Sequence, residues 1–76
     1  MIASDLEDLI VRLLVRQTGA SRRQWQLAVG SIRVHDQFTH PHCNWSLAPS
    51  GTPRENELIE DLLDRVRLDH PIVTRG

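Results

Sequence analysis

Apolar and polar positions follow two different periods along the chain. Near the start, Leu6, Leu9, Ile10, Leu13 and Leu14 recur at the i, i+3, i+4, i+7, i+8 spacing of one helical face. Ser4 followed three residues later by Glu7 reads as a capping box, in which each side chain satisfies the other's free backbone N–H. Gly19 suits the left-handed residue that closes a helix. A first helix is expected over about residues 5–17. A second apolar face, Leu58, Ile59, Leu62, Leu63 and Val66, follows Thr52-Pro53-Arg54-Glu55. That tetrapeptide offers a threonine N-cap, a proline where no N–H is needed and a glutamate at the third helical position. Pro71 pushes His70 out of the helical region, so this helix is placed at about residues 53–68, with 70–76 as a loose tail.

Between the helices the period falls to two. Trp25, Leu27 and Val29 alternate with Gln26 and Ala28, and beyond Gly30-Ser31 the alternation resumes with Ile32, Val34 and Phe38. Gly-X is the signature of a two-residue hairpin turn, and it would pair Val29 with Ile32, Leu27 with Val34 and Trp25 with Asp36. A third run, Cys43 to Leu47, follows a four-residue loop that would pair Phe38 with Cys43, Asp36 with Trp45 and Val34 with Leu47. A one-residue slip would break the sorting of apolar from polar side chains. Strands are therefore expected over about residues 25–29, 32–38 and 43–47.

The expected fold class is α+β: a two-layer α-β-β-β-α arrangement, its three-stranded antiparallel meander carrying both helices on one face. The other face should be wet. Arg33, His35, Gln37 and Asn44 fall there, polar and not needed for a core, and are the candidate binding residues of an open sheet. Asp36 alone breaks the apolar face, between Trp25 and Trp45, and reads as a hydrogen-bonding hub for the two indole N–H groups.

Composition narrows the function classes. The 76 residues suffice for one small domain, 1–76, and a deep pocket in so small a core would compete with stability. With 39% hydrophobic and 25% charged residues the chain is too apolar for a disordered one. The formal charge of −1 makes no global case for nucleic acid or an anionic membrane. Cys43 stands alone, which leaves no internal disulfide and fits a reducing, cytoplasmic setting. The acidic start MIASDLEDL lacks the basic beginning of a secretory leader. All nine basic residues are arginine, which reads as a genome-composition bias. Their placement is more informative. Residues 9–35 hold five arginines and no acid, whereas residues 36–76 hold four arginines and seven acids, so the two parts are complementary in sign.

Four constellations bear on chemistry. His35, His40, His42 and Cys43 include ligand types for zinc, with His40 and His42 the candidate metal pair, although the expected register points His35 and Cys43 to opposite faces. Arg22 and Arg23 beside Trp25, within the arginine-rich segment 12–33, are candidates for gripping a phosphate backbone. The element order also resembles, in topology only, the double-stranded RNA-binding domain over most of the chain. Such domains begin their last helix with lysines; here Thr52-Pro53-Arg54-Glu55-Asn56-Glu57 would repel phosphate, and Trp25 faces the core. The competing expectation is that Arg12 and Arg16 pair with Glu60, Asp61 or Asp64 of the second helix. Finally, Val11 and Val15 sit at one flank of the leucine face and, with Leu68, Ile72 and Val73, exceed what one core needs, marking a candidate interface. No nucleophile elbow, phosphate loop or metalloprotease motif occurs, so no catalytic residues and no cofactor are assigned. The expected function is that of a cytoplasmic, bacterial, non-catalytic interaction module. Its partner is a protein or a second copy, with nucleic acid as the alternative, a metal loop third, and no membrane.

Overall fold

The computed structural model describes all residues, 1–76. The chain forms three helices, α1 (Ala3–Thr18), α2 (Arg22–Val29) and α3 (Pro53–Asp69), with a two-stranded antiparallel hairpin, β1 (Arg33–Val34) and β2 (Trp45–Ser46), between α2 and α3 in sequence. The fold is mixed α+β and mostly helix. The three-stranded meander is not formed, and with it falls the topological resemblance to the RNA-binding domain. No helix is long and apolar enough to cross a membrane.

The largest correction lies at residues 25–29, expected as a strand and found within helix α2. Trp25, Ala28, Val29 and Ile32 are all buried and share the i, i+3, i+4, i+7 spacing, whereas Leu27, the middle of the expected alternation, is 70% exposed. The Ser21 side chain caps α2 by accepting from the Gln24 N–H. Gly30 does adopt positive φ (68°), but to leave a helix, not to turn a hairpin. Its N–H donates to the Gln26 carbonyl. The Trp25 indole N–H donates to Thr18 Oγ1 at 2.9 Å, and that hydroxyl donates on to the Leu14 carbonyl at 2.7 Å. The chain ties α2 to the end of α1, just before Gly19 (φ 74°) closes that helix.

The hairpin is short and its register differs from expectation by two residues: Val34 faces Trp45 and Arg33 faces Ser46. The loop is correspondingly longer. Phe38, expected in the core, is 96% exposed. Asp36, expected between two indoles, is exposed too, its Oδ1 accepting from the Phe38 N–H at 2.8 Å. The Trp45 indole instead donates to the His70 carbonyl at 2.8 Å, just past the last turn of α3.

The tail is not loose. Thr74 forms a parallel bridge with Ile2, donating to the Met1 carbonyl and accepting from the Ala3 N–H. Val73 is buried and held by Asn44, whose Nδ2 donates to the Val73 carbonyl and whose Oδ1 accepts its N–H, both at 2.8 Å. An asparagine side chain offers the same donor and acceptor as a peptide unit, so it substitutes here for a neighbouring strand. The core thus draws on all three helices, Ile32, both sides of the hairpin and the tail.

The start of α3 meets the end of α2 closely. Ser50 donates from its backbone N–H to the Ala28 carbonyl and from its hydroxyl to the Leu27 carbonyl. A Cβ at Gly51 would lie 3.0 Å from the Ala28 Cβ and 2.7 Å from a Glu55 oxygen, so only glycine fits this approach without a shift.

Candidate functional site

The leucine face of α1 is wider than the core can cover. Leu6, Ile10 and Leu14 are fully buried, whereas Leu9 and Leu13 are half-buried at the edge of that face. Arg12 and Arg16 project between and beyond them, exposed, so the series 9, 12, 13, 16 forms one stripe of alternating leucine and arginine. Val15 reaches the same surface, and Arg22 approaches from the first turn of α2. These six residues, three apolar and three arginine, line a groove of about 360 Å³ whose surface is mostly apolar. Arginine suits such a lining, since its stem lies on apolar surface while its guanidinium stays in water.

The structure locates the expected site residues as follows. Val15 is half-buried in the groove, but Val11 is buried, because α2 packs on that flank of α1 where solvent was expected. Arg22 meets Asp8 at 3.3 Å and Arg23 is exposed without an ion pair. Trp25 is buried and bound to Thr18, so the arginines have no aromatic platform beside them. Arg33 and Gln37 are exposed, His35 is half-buried and Asn44 is 5% exposed, with its polar atoms engaged by Val73. The open sheet face that should have united these four does not exist, since each strand has two residues and the tail covers Asn44.

The histidines do not assemble a ligand set with Cys43. His35 shares a 2.7 Å hydrogen bond between Nε2 and Ser46 Oγ, and its ring stacks on that of His40 with centroids 4.4 Å apart. His40 Nδ1 shares a hydrogen bond with Thr39 Oγ1. His42 is exposed in the same loop, and Cys43 directs its thiol toward the Trp45 carbonyl at 3.5 Å. No group of three or more His, Cys, Asp or Glu side chains converges on a point that could hold a metal ion.

Electrostatically the two parts of the chain stay apart. The ion pairs are Arg22 with Asp8, just ahead of the arginine-rich segment, and Arg67 with Asp64, so none links residues 9–35 to residues 36–76. Arg12 and Arg16 meet none of the α3 acids expected to neutralise them. One carboxyl has a displaced titration: Glu55 is held below its ordinary value, first by the Gln24 amide donating at 2.7 Å and next by the Thr52 backbone N–H at 2.8 Å. The groove was legible in part. The spacing Leu9, Arg12, Leu13, Arg16 is plain, but the same spacing places Leu9 and Leu13 on the core-facing leucine stripe.

No protein-family model matches the chain, and no curated protein or solved structure does. The geometry of the surface therefore carries the functional reading.

Proposed function

We propose that this chain is a small non-catalytic interaction module whose α1 groove receives an acidic, amphipathic segment of a protein partner. The observation that carries this reading is the apolar surface of Leu9, Leu13 and Val15 alongside Arg12 and Arg16, two exposed cations with no carboxylate in ion-pair reach. A partner's apolar side chains would bury that surface, while its carboxylates would set orientation and speed encounter. A groove of this size suits a transient contact. The cytoplasmic setting expected from the lone Cys43 belongs to the same proposal. Nucleic acid is the less favoured occupant, because Asp8 already neutralises Arg22 and Trp25 is unavailable for stacking.

The test is a titration of the isotopically labelled protein with two synthetic amphipathic helices, identical in leucine positions, one carrying glutamates and the other lysines. The glutamate peptide should bind with an affinity that falls as salt rises, shifting the resonances of Leu9, Leu13 and Val15. Replacing Arg12 and Arg16 together by glutamate should weaken it about tenfold or more. Equal binding of the lysine peptide would overturn the reading. So would a generic duplex that binds more tightly and depends on Arg22 and Arg23.

A further inference from the structure

The outer face of α3 is the counterpart of the α1 groove. Glu57, Asp61, Asp64 and Leu68 are spaced i, i+4, i+7, i+11, which aligns them along one side of the helix, and all four are exposed. Leu68 is 84% exposed, a large apolar side chain at the end of an acidic stripe that Arg54, Arg65 and Arg67 flank. The α1 groove has the inverse character, leucines and a valine alongside arginines. Within one molecule the two surfaces do not neutralise each other, since no ion pair links α1 or α2 to α3. The sign segregation seen along the sequence is therefore unresolved inside the fold.

We propose, building on the groove reading above, that the acidic amphipathic segment is α3 of a second copy of this chain. Leu68 of one copy would meet the apolar surface formed by Leu9, Leu13 and Val15 of the other, with Asp61 and Asp64 facing Arg12 and Arg16. The pair between Asp64 and Arg67 is long, at 3.7 Å, and exposed, so it competes weakly for that carboxylate. A two-fold axis would let each copy offer both surfaces at once, giving two identical contacts and a closed dimer. Small domains gain from such pairing, because their own cores are marginal.

Sedimentation equilibrium of the full chain, over a wide concentration range at low and high salt, tests this directly. The wild type should move from 8.7 kDa toward twice that mass, and salt should oppose the shift. Arg12→Glu with Arg16→Glu, and separately Asp61→Arg with Asp64→Arg, should each remain monomeric. An equimolar mixture of the two variants should associate again, which a merely structural effect of either would not produce. Unchanged thermal melts at high salt and low concentration would show that both variants still fold. Association that persists in both variants, or a mixture that stays monomeric, overturns the proposal. A wild type that is monomeric at millimolar concentration while the glutamate peptide still binds removes the second copy and leaves the groove. If neither associates nor binds, both readings fall.

Discussion

Ser4 with Glu7 and Thr52 with Glu55 present the same four-residue pattern ahead of two apolar helical faces, and they do different things. At Thr52 the box forms in full: the hydroxyl accepts from the Glu55 N–H, the carboxylate accepts from the Thr52 N–H, and Pro53 opens α3. At Ser4 there is no cap. α1 begins at Ala3, Ile2 is the N-cap residue without any side-chain bond, and Glu7 sends its carboxylate across the fold to the Ile32 N–H at 2.8 Å. The difference comes from what lies outside the motif. Before Thr52 the loop is held on α2 through Ser50 and leaves Thr52 extended at the N-cap position, whereas before Ser4 the backbone pairing with Thr74 lets the helix begin at Ala3. A capping pattern is a local preference worth about 1 kcal/mol, and a long-range backbone pairing overrides it.

The contrast breaks most forcefully at Asn44. Asn44→Ala removes both bonds to Val73 and leaves a buried N–H and carbonyl without partners, at a cost of about 2–4 kcal/mol in denaturant unfolding. With the tail released, the Ala3 amide should lose its protection against hydrogen exchange, while Ser4 becomes free to cap as its sequence invites. Unchanged exchange at Ala3 would show that the tail does not set where α1 begins.

The two glutamates sharpen the contrast at smaller scale. Glu7→Ala should destabilise by about 1–3 kcal/mol, because the Ile32 N–H loses its acceptor, while Ser4→Ala should stay within about 0.5 kcal/mol. At the other box the order reverses: Thr52→Ala should cost about 1 kcal/mol through the lost cap. Equal losses for Ser4 and Thr52 would mean that both boxes operate in solution.

The smallest expected effect is a pH dependence carried by Glu55. Its carboxyl is held below the ordinary 4.5 in the folded chain, chiefly by Gln24. The stabilisation is therefore complete above that ordinary value and is lost as pH falls through the lower folded one. The gap in Tm between wild type and Glu55→Gln should narrow on acidification in that window, and a gap that widens would contradict the assignment.

The long helices were legible because their apolar positions repeat over about two and a half turns, far enough for a period of 3.6 to exclude one of 2. Over Trp25 to Val29 five residues satisfy both periods, and the helical one is distinguished by its ends, Ser21 with Gln24 and Gly30, rather than by its middle. The hairpin shows a different ambiguity. A slip of two residues keeps every side chain on its face, so the alternation of Val34 and Trp45 could not tell the true pairing from the expected one. Asn44 was read as solvent-facing because nothing local marks the tail that buries it. Val11 was misjudged for a related reason: α1 packs against a second helix on that side, which needs a broader apolar stripe than a sheet beneath would. Of the candidate surface, Val15 and the arginine-rich character were visible, whereas the groove depends on Leu9 and Leu13 being only half covered.

The pairing of Ile2 with Thr74 has a consequence for the order of events during synthesis. α1 leaves the ribosome before the tail does, yet its first turn is fixed by Thr74, translated long after it. Closing a loop that spans nearly the whole chain is entropically the most expensive contact in the molecule, so it belongs at the end of folding. Until then the helix can start at Ser4 by its own local preference. The newborn chain would then carry a differently begun α1, converted to its final form when Val73 reaches Asn44.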